Sequence, residues 1–148
     1  MKKIFWNNCI YYTVFMHKIK KNRSSNFDLS VANRIENLLT EHLSIGKDLI
    51  VPLKNNNQRL ANKLNDKWYK NADEMANFFS SINPYYSREK LRDMLYDHLE
   101  LISDEVDARL KKDYRADINA FDKVQQEVLN MSQYFVDGIV RQFPNMFN

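Results

Sequence analysis

Two glycines and three prolines in 148 residues limit what this chain can fold into more than any other feature. A sheet protein reverses direction every few residues and draws on turn formers at most reversals. A helical bundle needs only a handful of connections. The scarcity therefore predicts helices before any periodicity is counted. The length lies in the range of one domain able to bury a core, and 44% apolar against 28% charged residues excludes a disordered chain.

Apolar residues recur at alternating spacings of four and three, the stripe of a bundle helix. The spacing predicts an amino-terminal helix over residues 4–21 with Phe5, Cys9, Tyr12, Met16 and Ile19 on one side, then a linker over 22–29. Four long helices follow within residues 30–143. In the first, Val31, Ile35, Leu38, His42, Ile45 and Leu49 share the stripe, Asp28 or Ser30 offers the cap, and Pro52 marks the end. In the second, Leu60, Leu64, Trp68, Asn71, Met75, Phe78 and Ile82 face inward, and Asn83-Pro84 stops the helix because the residue before proline avoids helical geometry. Ser87 caps the third, whose stripe is Leu91, Leu95, His98, Ile102, Glu105 and Arg109. The fourth begins near Tyr114 and ends at Phe143, with Ile118, Phe121, Val124, Val128, Met131, Phe135 and Ile139 inside. Short connections between long helices imply antiparallel neighbours. The expectation is an all-α, up-and-down antiparallel bundle of four long helices plus the amino-terminal helix.

The start, Met1-Lys2-Lys3 before an apolar stretch, has the outline of a signal peptide. Asn7 and Asn8 interrupt the run, His17 and Lys18 follow it, and no small-residue cleavage site appears, so a buried first helix is expected. The single Cys9 excludes an internal disulfide framework and fits a reducing, cytoplasmic setting. Residues 1–25 carry six basic side chains and no acid, while the remainder holds 16 basic against 19 acidic. That basic end reads as a solvated helix end and loop, and neither nucleic acid nor a membrane is the expected partner.

Several chemistries are excluded. Gly46 and Gly138 lie inside helical patterns, so there is no glycine-rich phosphate loop and no expected nucleotide. The Glu-x-x-His pairs of di-iron bundles would need acids where Leu39 and Leu95 stand. What remains is a small set of polar groups on apolar stripes. His42 and His98 each sit about three turns into their helices, and parallel alternate helices would bring them to similar heights, with Asn71 between. Each follows an acid, Glu41 or Asp97, which points about 100° away and can close an interhelical pair or support a neighbour. Glu105 shares the stripe of His98, and Cys9 occupies a stripe position on the first helix. Imidazole with carboxylate suits a divalent transition metal, here Zn, Fe, Ni or Mn, with His42, His98, Glu41, Asp97, Glu105 and Cys9 as candidate ligands. The competing reading is a set of core polar residues bonded to one another. Trp68, amid the charged run Lys67 to Glu74, reads as core. Asp113, Asp117 and Asp122 read as acids complementing a helix start.

The strings LLTEHLSIGKDLI (38–50), KWYKNADEMANFFSSINP (67–84), LRDMLYDHLELISDEVDARLKKDYRADINAFD (91–122) and DGIVRQFPNMF (137–147) resemble an uncharacterised family of small bacterial helical proteins. Its members often carry the labels acetylglutamate kinase or glycosyltransferase, and the missing phosphate loop argues against both. The resemblance implies Glu-His or Asp-His pairs on several helices, matched here by Glu41-His42 and Asp97-His98. In the family string LWxEHxxWTR, this chain has Cys9 in place of the histidine, Asn8 in place of the acid and Val14 in place of the arginine, and its first connection looks shorter. A more distant helical family with recurrent Glu-His pairs looks capable of holding a metal within its bundle. Two functions are thus expected in competition: a metal-binding bundle, or a non-catalytic interaction module. The latter is expected as a homodimer formed through aromatic faces such as Tyr85-Tyr86 or through the amino-terminal helix.

Overall fold

The structure, a computed structural model, describes the backbone of residues 26–146 and the side chains of residues 29–145. The expected helix over 4–21 and its basic charges lie outside the described residues. Four helices follow in order: α1 (Asn26–Lys54), α2 (Gln58–Ile82), α3 (Arg88–Leu110) and α4 (Tyr114–Gln142), closed by a short 3-10 turn, Pro144–Met146. No strand occurs among the described residues, and none of their helices is long and apolar enough to cross a membrane.

The connections show how so few glycines suffice. At the end of α1 the Asn56 amide donates to Leu53 and the Asn57 amide to Pro52. At the end of α3 the Lys112 amide donates to Arg109 and the Asp113 amide to Ala108. Both are Schellman ends, whose left-handed position usually falls to glycine. Here Asn56 (φ 55°) and Lys112 (φ 60°) take it. The next residue in each case caps the following helix: Asn57 accepts from the Leu60 amide and Asp113 from the Ala116 amide. One residue ends one helix and starts the next, so neighbours fold back at once.

Cross-helix contacts fix the directions. Arg34 meets Glu74 and Glu41 meets Lys67, so numbers rise on α1 as they fall on α2. Asp73 accepts from Tyr96, whose ring packs edge-on against Tyr69. Ser87 meets Tyr134, His98 meets Glu127 and Arg109 meets Asp117, which makes α3 and α4 antiparallel along their whole length. Diagonal contacts, His42 with His98 and Phe79 with Phe135, join alternate helices. The bundle is up-and-down, as the short connections implied.

The expected stripes hold for α1; the inward set on α3 gains Leu99, while Arg109, expected on that stripe, is exposed and Ala108 is buried in its place. Elsewhere the structure corrects them. Leu60 is exposed and Ala61 is buried instead; α2 turns a row of alanines (Ala61, Ala72, Ala76) inward, which lets its neighbours approach closely. Ile118 is 61% exposed, its place taken by Asp117 and Ala120. Helix α1 begins at Asn26, so Asp28 and Ser30 lie within it and Pro52 within its last turn. Ser87 caps α3 as expected, accepting from the Lys90 amide.

Two close approaches use the glycines. A Cβ on Gly138 would meet the Tyr86 ring at 1.9 Å, and one on Gly46 would meet the Trp68 ring at 2.8 Å. Tyr86 thus lies against the backbone of α4 and donates its hydroxyl to the Phe135 carbonyl at 2.6 Å. Its burial pushes the phenol pKa up to about 12, which keeps it a donor. Gly138→Ala should therefore lower unfolding stability by roughly 1–3 kcal/mol despite alanine's better helix propensity. Lys112→Gly should raise stability by up to about 1 kcal/mol by relieving a left-handed side chain. Chemical denaturation of the two variants checks both signs.

Candidate functional site

A polar seam runs through the apolar core, and its best-defined part surrounds His42. This side chain projects from the inner face of α1, between Leu38 and Ile45, and is 7% exposed. Its Nδ1 lies 2.8 Å from Asn71 Oδ1 on α2. The Asn71 amide nitrogen donates to the Leu38 carbonyl and to Glu41. That orients the amide oxygen toward the histidine, so His42 Nδ1 must carry the proton and Nε2 the lone pair.

His98, from α3, repeats the arrangement. Its Nδ1 lies 2.8 Å from Glu127 Oε2 on α4, and both side chains are largely buried, at 15% and 13% exposure. A carboxylate accepts, so Nδ1 carries the proton of that bond, and in the neutral ring the lone pair falls on Nε2. The two rings lie 6.3 Å apart, inclined by 27°. The Trp68 ring lies 5.4 Å from His42, brought close by the missing side chain at Gly46. Trp68 Nε1 and Glu127 Oε1 are buried without a hydrogen-bond partner.

Burial lowers the His42 pKa to about 4, with a further push from His98, while the Asn71 bond acts the other way. His42 is therefore neutral at physiological pH, the form that binds a metal or accepts a hydrogen bond.

The other expected ligands are placed elsewhere. Glu41 turns outward to an ion pair with Lys67 at 3.0 Å and supports Asn71, the interhelical role open to an acid beside a ligand. Lys67 holds its carboxyl below the usual range. Asp97 is exposed and away from the pair. Glu105 lies two turns beyond His98, buried in the neighbourhood of Asp117 and Arg109. Burial and the neighbouring Asp117 push its carboxyl pKa up, against the pull of Arg109. Asp117 lies in the first turn of α4, as expected of an acid near a helix start, and is also buried and paired with Arg109 at 2.6 Å. Asp113 caps α4, as expected of an acid there. Cys9 and the third histidine, His17, lie outside the described residues. Among the described residues, no group of three or more His, Cys, Asp or Glu side chains is placed to hold a metal ion.

Sequence reasoning missed Glu127. The signal was present: it stands three residues after Val124 and four before Met131, on the same inner face, just as His42 stands between Leu38 and Ile45.

No family model matches the chain, no curated protein matches it, and no solved structure matches it.

The lowered His42 pKa has a definite sign. Between pH 6.5 and about 4 the unfolded chain binds a proton at His42 that the folded chain does not, so stability falls as pH falls through that window. The contribution is at most on the order of 3 kcal/mol. Glu105 has the opposite sign: its raised pKa costs stability as pH rises above its unfolded value. In urea titrations at several pH values, His42→Gln should flatten the loss below pH 6.5. Glu105→Gln should stabilise the protein at pH 7, and that gain should vanish at pH 4.

Proposed function

We propose that this protein is a metal-binding helical bundle in which His42 and His98 hold a divalent transition metal (zinc, iron, nickel or manganese) through their Nε2 atoms. One observation carries the reading: two imidazoles from different helices lie 6.3 Å apart, each with Nδ1 committed to an acceptor. A ligating histidine characteristically donates its other ring N–H to a carboxylate or carbonyl, which fixes the tautomer and raises basicity. Glu127 and Asn71 play those parts. With metal–nitrogen bonds of about 2.0–2.1 Å, two imidazoles on one tetrahedral ion have ring centres about 5 Å apart, so the pair needs to close by roughly 1 Å.

Two protein ligands leave positions open for water, for an exogenous group, or for a side chain such as Cys9. The buried Trp68 N–H beside the pair is a donor that such a bound group could satisfy. Open positions permit hydrolytic or redox chemistry. The resemblance seen in the sequence supports the same two residues, since Glu41-His42 and Asp97-His98 carry it. A second reading, a non-catalytic interaction module, is favoured by the exposed apolar side chains of α4.

Elemental analysis of untagged protein, purified without chelators, tests the proposal. About one metal per chain is expected, lost in the His42→Gln/His98→Gln double variant. Glu127→Gln should weaken binding about 10- to 100-fold without abolishing it. Protein that stays folded, carries no metal and takes up none of Zn²⁺, Ni²⁺, Mn²⁺ or Fe²⁺ on titration would leave the histidines as core polar residues.

A further inference from the structure

Helix α4 is apolar on two sides. Its core side carries Ala120, Val124, Met131 and Gly138. Tyr114, Ile118, Leu129, Val136, Val140 and, at its cap, Phe143 are all exposed. At about 100° per residue these six fall within roughly 80° of arc, about 140° from the core side. Scattered exposed apolar residues are ordinary, but a stripe along the full length of one helix marks a contact surface.

The spacing of the stripe indicates its occupant. Ile118 and Val140 lie eleven residues on either side of Leu129, and Tyr114 and Phe143 lie fifteen and fourteen residues from it. Its centre, Ile118, Leu129 and Val140, reads alike in both directions, as an isologous two-fold contact requires, and Tyr114 and Phe143 are one residue off that mirror. We propose that α4 packs antiparallel against α4 of a second copy of this chain, with Leu129 on the two-fold axis, Ile118 against Val140 of the other copy and Tyr114 against Phe143. The mirror is incomplete: Asp122, Gln125 and Ser132 fall within the same arc, Val136 would face Asp122, and Arg115, just outside the arc, is the mirror position of Phe143. These polar ends can reach solvent at the margin of the contact. No Lys, Arg or Glu lies inside the arc. An antiparallel pair also sets each helix amino terminus beside the partner's carboxyl terminus, where the end charges attract, whereas a parallel pair sets like ends together.

A strip about 43 Å long and about 10 Å wide amounts to roughly 430 Å² per copy, or about 860 Å² in total, below the roughly 1,000–1,200 Å² of a stable interface and in the range of a weak, transient one. The dimer should therefore be reversible and dissociate on dilution. It is independent of the metal proposal, because the stripe and the histidine pair lie on different sides of the bundle core.

Sedimentation velocity of the full chain over a hundredfold range of concentration tests the pairing. Wild type should shift from dimer to monomer on dilution. Leu129→Arg should be monomeric throughout, with an unchanged circular dichroism spectrum and melting temperature. In a Cys9→Ser background, Leu129→Cys should cross-link to itself under mild oxidation. Ile118→Cys alone should not, but should cross-link when mixed with Val140→Cys. A chain that is monomeric at every concentration, a dimer that survives Leu129→Arg, or self-cross-linking of Ile118→Cys would each overturn the proposal. So would a monomer whose Leu129→Cys thiol resists alkylation, since another segment of the chain, such as residues 1–25, would then cover the stripe.

Discussion

Asn71 is the residue on which the arrangement of this bundle turns. It sits at the centre of α2, almost wholly buried, and a buried amide must find partners for both its ends. It bonds the Leu38 carbonyl, Glu41 and His42, all on α1. Apolar stripes alone allow two helices to slide by a turn with small loss, whereas a directional amide allows one position, as buried polar residues do when they fix register in coiled coils. By fixing the register, Asn71 also fixes the imidazole tautomer of His42. The structural role and the chemical role of this one side chain cannot be separated.

The same economy extends along the bundle. His98 with Glu127, and Arg109 with Asp117, tie α3 to α4 at two heights, so the pair is held in register by polar contacts as well as by packing. These contacts are incompletely satisfied. Glu105, Asp117 and Glu127 each keep one buried oxygen without a hydrogen-bond partner. An unsatisfied buried polar group costs about 1–3 kcal/mol, so an apolar replacement core of similar volume would be expected to be more stable. Retaining carboxylates and imidazoles here trades stability for a polar interior, and that trade is characteristic of functional sites.

Close packing places the rings. The alanines of α2 and the two glycines let large aromatic groups lie against neighbouring backbones: Trp68 over Gly46 beside His42, and Tyr86 over Gly138. Trp68 packs against the His42 ring, and burial lowers the basicity of that ring more than the neighbouring His98 does. Meanwhile the Schellman ends at Asn56 and Lys112 bring the helices back without glycine, so glycine is kept for packing rather than for turns.

Helix content, the number of long helices, the caps at Ser87 and Asp113 and most of the inner stripes were written in the local sequence, because periodicity, capping and the dearth of turn formers act over a few residues. His42, His98 and Asn71 were legible for the same reason, as polar letters inside apolar stripes. Three things were settled only by tertiary packing. Glu127 became the partner of His98, because which acid meets which histidine depends on the relative rotation of two helices far apart in sequence. Asp117 went inside and Ile118 outside, because a shift of about 100° between adjacent residues decides their fates, and only the neighbouring helix selects between them. Glu41 and Glu105 left the histidine pair for Lys67 and for the Asp117 end of the bundle, since a charge goes to the nearest opposite charge or shared burial that the packed helices offer. The one-dimensional pattern determines which face of each helix is apolar; the direction in which the polar exceptions point depends on the angle at which those faces meet.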